Sequence, residues 1–363
     1  MPRLWDLLPF FWHPVCRVDD VGPTGVVAAR LVGRDLAVAD LGDRWVAYDD
    51  RCPHRSARLS VGAVLHSPGA VGSGASTLQC AYHGWRYDDD GKCVEIPSMP
   101  TGPIPSSACV TSYRTEERYG FVWVLLDGRL DPPIPEWPGA DDTTLRVLRP
   151  DPYTWPVGAS RRVENFTDLS HFAFVHDGSL GDRYQPVPPM PDIGRVGNEL
   201  RFDYAPPDMQ PDPTAMFGAT LYRLTMPLTV NIEFLQAGGV RRLLWMTASP
   251  VEPGVSRSFW LMGRNDELEP IHDQAHLDFQ WQILAEDEPV VCNQVPPEMD
   301  LTPGAELSVR TDKVSIAYRR WLKSLVSSGT DLAAMRHALG LTAPPSTMPE
   351  LTGRAVSATP AGG

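Results

Sequence analysis

RCPHRSARLS (residues 51–60) and LQCAYHGWRYD (residues 78–88) each carry one cysteine and one histidine at close spacing. Thiolates and imidazoles are the ligands that hold zinc or iron–sulfur centres. Cys52, His54, Cys80 and His83 form a mixed set of two and two. Zinc accepts such a set. So does a [2Fe–2S] cluster with two Cys on one iron and two His on the other. Spacing alone leaves both metals open. Pro53, Gly84 and Trp85 favour tight, rigid loops around the ligands. Two ligand pairs on two loop tips are what a clamped cluster requires.

Working outward, residues 1–135 read as an all-β domain of short strands, such as GVVAARLVG, RWVAYD and YGFVWVLLDG, punctuated by Gly, Asp and Pro. The proline-rich DPPIPEWPGADD (131–142) reads as a linker. The second half, 136–350, mixes types: one helical run at 164–176, strands from 221 to 265, and a longer helix at about 269–288. The stretch 183–215 reads as a surface loop, and 351–363 as a disordered tail.

The chain has 363 residues, 42% hydrophobic, with net charge -13 and pI near 5.1. This balance argues against a nucleic-acid or acidic-membrane partner. The N-terminal apolar patch is broken by Asp6 and Pro9 and lacks a signal-peptide layout, so a cytoplasmic protein is expected. In that setting its six cysteines point to metal or catalysis rather than disulfides. Cys16, Cys93, Cys109 and Cys292 read as buried structural residues.

A second metal site is suggested by ENFTDLSHFAFVH (164–176). Asp168 and His171 are three apart and share a helix face. His171 and His176 are five apart, about 140° round an ideal helix. They reach one metal only if the helix ends, tightens or bulges between them. The third ligand is sought in AEDEPVV (285–291), which holds Glu286, Asp287 and Glu288. On a helix, Ile283, Leu284, Val290 and Val291 all fall within about 60° of Asp287. Asp287 is therefore the acid embedded in an apolar stripe, where an unpaired carboxylate is costly. His272 and His276 are a better-spaced helical pair, but the acids and glutamine around them mark a solvated face.

These motifs, in this order, resemble the oxygenase component of a Rieske non-haem iron oxygenase, of the phenylpropionate- and phthalate-dioxygenase-like α type. CPHR, CAYHGWRYDDDGKCVEIPS and ERYGFVWVLL resemble its Rieske domain, with the main ligand region at 45–125. The two other motifs resemble its iron helix and distal aspartate segment. The resemblance implies an α+β chain: an N-terminal all-β Rieske domain and a C-terminal helix-grip domain, an antiparallel sheet with helices. It implies Cys52 and Cys80 on one cluster iron, His54 and His83 on the other, and Fe(II) on His171, His176 and Asp287. Asp168 resembles the aspartate that relays an electron between subunits of a ring homotrimer, and Asn165 a residue that orients the ligands. The implied activity uses O2 and electrons from NAD(P)H, delivered by a separate reductase and possibly a ferredoxin. It hydroxylates, or O- or N-demethylates, an aromatic or polycyclic small molecule. Ring cis-dihydroxylation and a non-catalytic Rieske electron carrier are the alternatives. Phe172, Phe174 and Met216-Phe217 are candidate pocket or core residues, and Arg161 and Arg162 candidate carboxylate clamps. The interval from 55 to 79 is longer than the family's, through HSPGAVGSGAS (66–76), an insertion near the expected electron-donor surface.

Overall fold

The computed structural model describes residues 3–66, 76–204 and 219–341. The pocket candidates Met216 and Phe217, most of the 66–76 insertion and the 351–363 tail lie outside them.

Three antiparallel sheets carry the described chain. The first is six-stranded, in the order Trp12–Arg17, Phe121–Leu125, Ser112–Arg118, Trp45–Asp49, Arg34–Asp40, Val26–Leu31. The second is four-stranded: Ala63–His66, Ser76–Gln79, Arg86–Tyr87, Cys93–Glu95. His66 pairs with Ser76, so the insertion interrupts a hairpin rather than a ligand loop. The third is eight-stranded and begins at Arg146–Leu148. It continues through Val255–Arg264, Arg241–Glu252, Thr229–Leu235, Ala219–Thr225 and Glu199–Tyr204 to Ile193–Val196, with Tyr153–Trp155 also on Val255–Arg264.

The run FVWVL shows why the two halves adhere. All five residues are buried, because both faces of this strand are covered. Val122 and Val124 pack within the first sheet, against Val15, Leu36 and Val38. Phe121 and Trp123 face the third sheet, where Phe121 meets Phe259 at 5.4 Å and Trp123 meets Trp245 at 6.0 Å. The proline-rich 131–142 is not a free linker. Ile134 and Trp137 are buried in that same cluster, and Trp12 Nε1 donates to the Pro132 carbonyl. Prolines remove backbone donors, so an extended strap can lie against the protein there without leaving N–H groups unpaired.

Six α-helices lie among the described residues, in chain order: α1 Leu4–Leu7, α2 Ala159–Thr167, α3 Phe172–Val175, α4 Asp273–Val291, α5 Lys313–Ser327 and α6 Leu332–Ala338. The single run expected at 164–176 is two helices. The helix expected at 269–288 starts with a 3-10 turn and runs on to Val291. The surface loop expected at 183–215 contains the hairpin Ile193–Val196/Glu199–Tyr204. Its alternation was readable: Leu200 and Phe202 are buried while Arg201 and Asp203 are exposed. Cys16 and Cys93 are buried strand residues as expected. Cys109, however, is exposed, and Cys292 is half-buried at the end of α4. No helix among the described residues is long and apolar enough to cross a membrane.

Candidate metal centres and substrate cavity

The two cysteine loops close in the same way. Cys52 N donates to Ala57 O and Ser56 N to Cys52 O; Cys80 N donates to Trp85 O and Gly84 N to Cys80 O. The fifth residue of each turn takes a positive φ, 58° at Ser56 and 75° at Gly84. Glycine suits the second turn, where a Cβ would approach Pro97 at 3.0 Å. Both thiols are free and buried, at 2% and 1% exposure. The His54 and His83 rings lie 4.5 Å apart, and Trp85 stacks on His54 at 4.5 Å. His54 Nδ1 is buried without a partner. Burial, with His83 and Arg55 beside it, holds His54 below its ordinary pKa, so it is a neutral donor. Two adjacent thiols and two imidazoles with one orphaned nitrogen fit a cluster bound between the loops. The Tyr87 hydroxyl lies 3.1 Å from Cys52 Sγ.

The second set converges through a broken helix. α2 ends at Thr167, and Asp168 is extended, with φ -79° and ψ 126°. Asp168 Oδ1 accepts from Ser170 N, which turns the chain. His171 then caps the start of α3 and His176 its end. The helix thus ends between the two histidines, with His176 at φ -106° and ψ 31°, as their 140° separation requires, and the two rings lie 5.0 Å apart. Gly181 supports α3 closely, since a Cβ there would meet Phe172 O at 2.1 Å. From α4, Asp287 Oδ1 lies 3.4 Å from both His171 Nε2 and His176 Nε2. One donor atom from each residue falls within 4.8 Å of the others. Two imidazoles and a carboxylate converging in this way fit a facial 2-His-1-carboxylate iron site.

Asp287 is 5% exposed, as are its stripe neighbours Ile283, Leu284 and Val291 to within a few per cent; Val290 instead turns outward, 54% exposed. Burial would raise the Asp287 carboxyl, but His171, His176 and Arg162 outweigh it and hold it well below the usual range. Burial likewise opposes charge on His171, yet Asp168 and Asp287 keep its pKa up at about 9. Asn165 Nδ2 donates to Asp287 Oδ1 at 3.0 Å. Buried Arg162 holds the Asn165 carbonyl and the Tyr153 hydroxyl, so it acts as a brace for Asn165 rather than a free clamp. Arg161 is bound to Glu306 and the Pro296 carbonyl. Sequence reasoning passed over Glu286, whose Oε2 lies 2.8 Å from His176 Nδ1.

Different surroundings flank the three residues. On one side is a cavity of about 250 Å³ with mainly apolar walls, including Phe166, Phe172, Ile232, Met262 and Leu284. Phe172 lines it; Phe174 is 63% exposed and takes no part. Gln280 lies two turns before Asp287 on α4 and lines the same cavity. On the other side is a polar opening lined by Asp168, Glu164, Arg319 and Asp312. Of the His272/His276 pair, His276 lines the cavity edge and binds Glu267, and His272 is exposed; among the described residues they share no metal geometry with a third ligand.

Residues 11–114 match the Rieske [2Fe-2S] domain, and residues 155–328 the vanillate O-demethylase oxygenase C-terminal domain. The methylxanthine N1-demethylase NdmA of Pseudomonas putida is 39% identical over 328 residues, spanning 88% of this chain and 90% of NdmA. The methylxanthine N3-demethylase NdmB of the same organism is 41% identical over 336 residues, spanning 89% and 91%. The structure of NdmA with caffeine superposes with a TM-score of 0.84 at 38% identity, covering 93% of this chain and 96% of that one. Dicamba monooxygenase bound to dicamba, at 19% identity and a TM-score of 0.71, shares the fold. The chain is thus an oxidoreductase with a Rieske [2Fe–2S] cluster and a mononuclear iron, using O2 and electrons from a separate NAD(P)H-dependent reductase to hydroxylate or demethylate an aromatic small molecule. It belongs to the Rieske non-haem iron oxygenases.

Proposed function

We propose that the chain removes an N-methyl group from a planar, oxygen-bearing N-heterocycle of the methylxanthine kind. The methyl C–H becomes C–OH with one oxygen atom of O2. The other atom leaves as water with two electrons and two protons, and the N–CH2OH group then releases formaldehyde. The observation that carries the reading is the apolar cavity against His171, His176 and Asp287, with one unpaired amide at Gln280 on its wall. Apolar walls hold a flat ring and exclude water. Gln280, which has no hydrogen-bond partner among the described residues, offers both a donor and an acceptor to a ring amide. The similarity to two methylxanthine demethylases supports the same chemistry.

In this reading Cys52 and Cys80 hold one cluster iron and His54 and His83 the other; His171, His176 and Asp287 hold the Fe(II). Bound there, the two centres supply electrons and dioxygen activation. Asn165 steadies Asp287. Asp168 stands on the polar side, between His171 and His83 of the partner subunit in a ring homotrimer. Domains at 1–135 and 136–350 and a cytoplasmic location belong to the same reading.

The test is formaldehyde release, with O2 and NAD(P)H consumption, from purified protein and a matching reductase. The substrates are 1- and 3-methylxanthine, against an O-methylated benzoate and an unmethylated arene. Formaldehyde from a methylxanthine is the expected result. A cis-diol from the arene, with no formaldehyde from any N-methyl compound, would overturn the reading.

A further inference from the structure

The two imidazoles beside Asp287 are supported very differently. His176 is 1% exposed, and its Nδ1 lies 2.8 Å from Glu286 Oε2. That carboxylate is itself fixed. Ser179 Oγ donates to Oε2 at 2.7 Å, and Gln282 Nε2 donates to Oε1 at 3.0 Å. An ionised carboxylate only accepts, so His176 Nδ1 carries the proton. Its Nε2 lone pair is thereby left facing Asp287. Glu286 and Asp287 are consecutive, about 100° apart on α4, and so grip one ring from both nitrogens.

His171 lacks this support. Its Nδ1 is 3.7 Å from Asp168 Oδ2, too far for a hydrogen bond, and has no other partner. The Asp168 side chain is 32% exposed and opens on the polar side.

We propose that Glu286 is a positioning residue that fixes the tautomer and orientation of His176, so that retention of the mononuclear metal depends on Glu286 far more than on Asp168. The inference rests on the reading of His171, His176 and Asp287 as metal ligands. It gives the neighbouring acids of one dipeptide separate roles: Asp287 toward the metal, Glu286 behind the ligand. Carboxylates behind ligating histidines commonly contribute to affinity in this way.

The experiment is an anaerobic Co(II) titration of full-length protein with its cluster intact and the mononuclear metal removed by chelation, read by visible absorption. Glu286→Ala should weaken Co(II) binding by about 10–100-fold. Glu286→Gln, which keeps an acceptor but no charge, should fall between it and wild type and alter the Co(II) spectrum. Asp168→Asn and the exposed Glu288→Gln should stay within about twofold of wild type. The cluster absorption reports folding in each variant; if Glu286→Ala loses it, the isosteric Glu286→Gln decides. Wild-type affinity in the Glu286 variants, or an equal loss in Asp168→Asn, overturns the inference. Wild-type protein that takes up no Co(II) would instead overturn the ligand reading beneath it.

Discussion

Cys52, His54, Cys80 and His83 sit on two turns closed by the same pair of backbone hydrogen bonds, and the side chain of His83 reaches the surface. His171, His176 and Asp287 come from a broken helix and a distant one, and two of the three are almost fully buried. The first region is local: each turn presets its own two candidate ligands. The second exists only after α3 has docked on α4. A ligand set written within turns survives much change elsewhere, whereas one assembled from packed helices is sensitive to the groups that hold those helices. The difference also fits the tasks. On the proposed ligand assignment, a cluster that must meet a donor protein would sit at an exposed tip, and an iron that must exclude water would sit at the end of an apolar cavity.

The largest break in this contrast should come from Asp287→Ala. It removes the one carboxylate shared by both histidines. Metal analysis should show loss of the mononuclear iron, and turnover should fall below detection, while the cluster spectrum is unchanged. Loss of the cluster as well would mean that the two regions are not independent.

Asp168→Asn sharpens the contrast from the other side. Iron content should hold, yet turnover should drop by about 100-fold or more, as expected of a group that relays an electron rather than binding metal. Single-turnover measurements with a pre-reduced cluster should place the loss in oxidation of the cluster.

A third test bears on neither metal. His13 is fully buried; burial lowers its pKa to about 4, although the Leu8 carbonyl accepts from its Nε2. The unfolded chain takes up this proton near 6.5, the folded chain only near 4. Stability from His13 is therefore full above pH 6.5 and is lost as pH falls toward 4, by up to about 3 kcal/mol. Urea unfolding at pH 7 and pH 4.5 should show the decline, and His13→Gln should flatten it.

The smallest effect separates neighbours on α3. Phe172→Ala should raise KM several-fold because it opens the cavity wall. Phe174→Ala, a surface change, should leave KM unchanged and stability within about 0.5 kcal/mol.

Much of this was legible in advance, for physical reasons that differ by site. The two matching Cys/His turns could be read from spacing because a turn is a local object. Asp287 could be chosen over its neighbours because helical geometry placed it among Ile283, Leu284 and Val291. Spacing left His171 and His176 ambiguous, since periodicity does not register that α3 stops after four residues and leaves His176 outside helical geometry. The hairpin at 193–204 was hidden by the prolines before it, although Leu200 and Phe202 carried the period of two. Glu286 was set aside because it lies off the apolar stripe, and nothing local says that a histidine from α3 will sit against it. The 131–142 strap looked like a linker because prolines signal both, and only the buried Ile134 and Trp137 tell them apart.

The most direct measurement is iron and acid-labile sulfide per chain on anaerobically purified protein, with the visible spectrum. One [2Fe–2S] cluster plus one mononuclear iron gives about three irons and two sulfides. Zinc without sulfide, in colourless protein, would contradict the assignment of both regions.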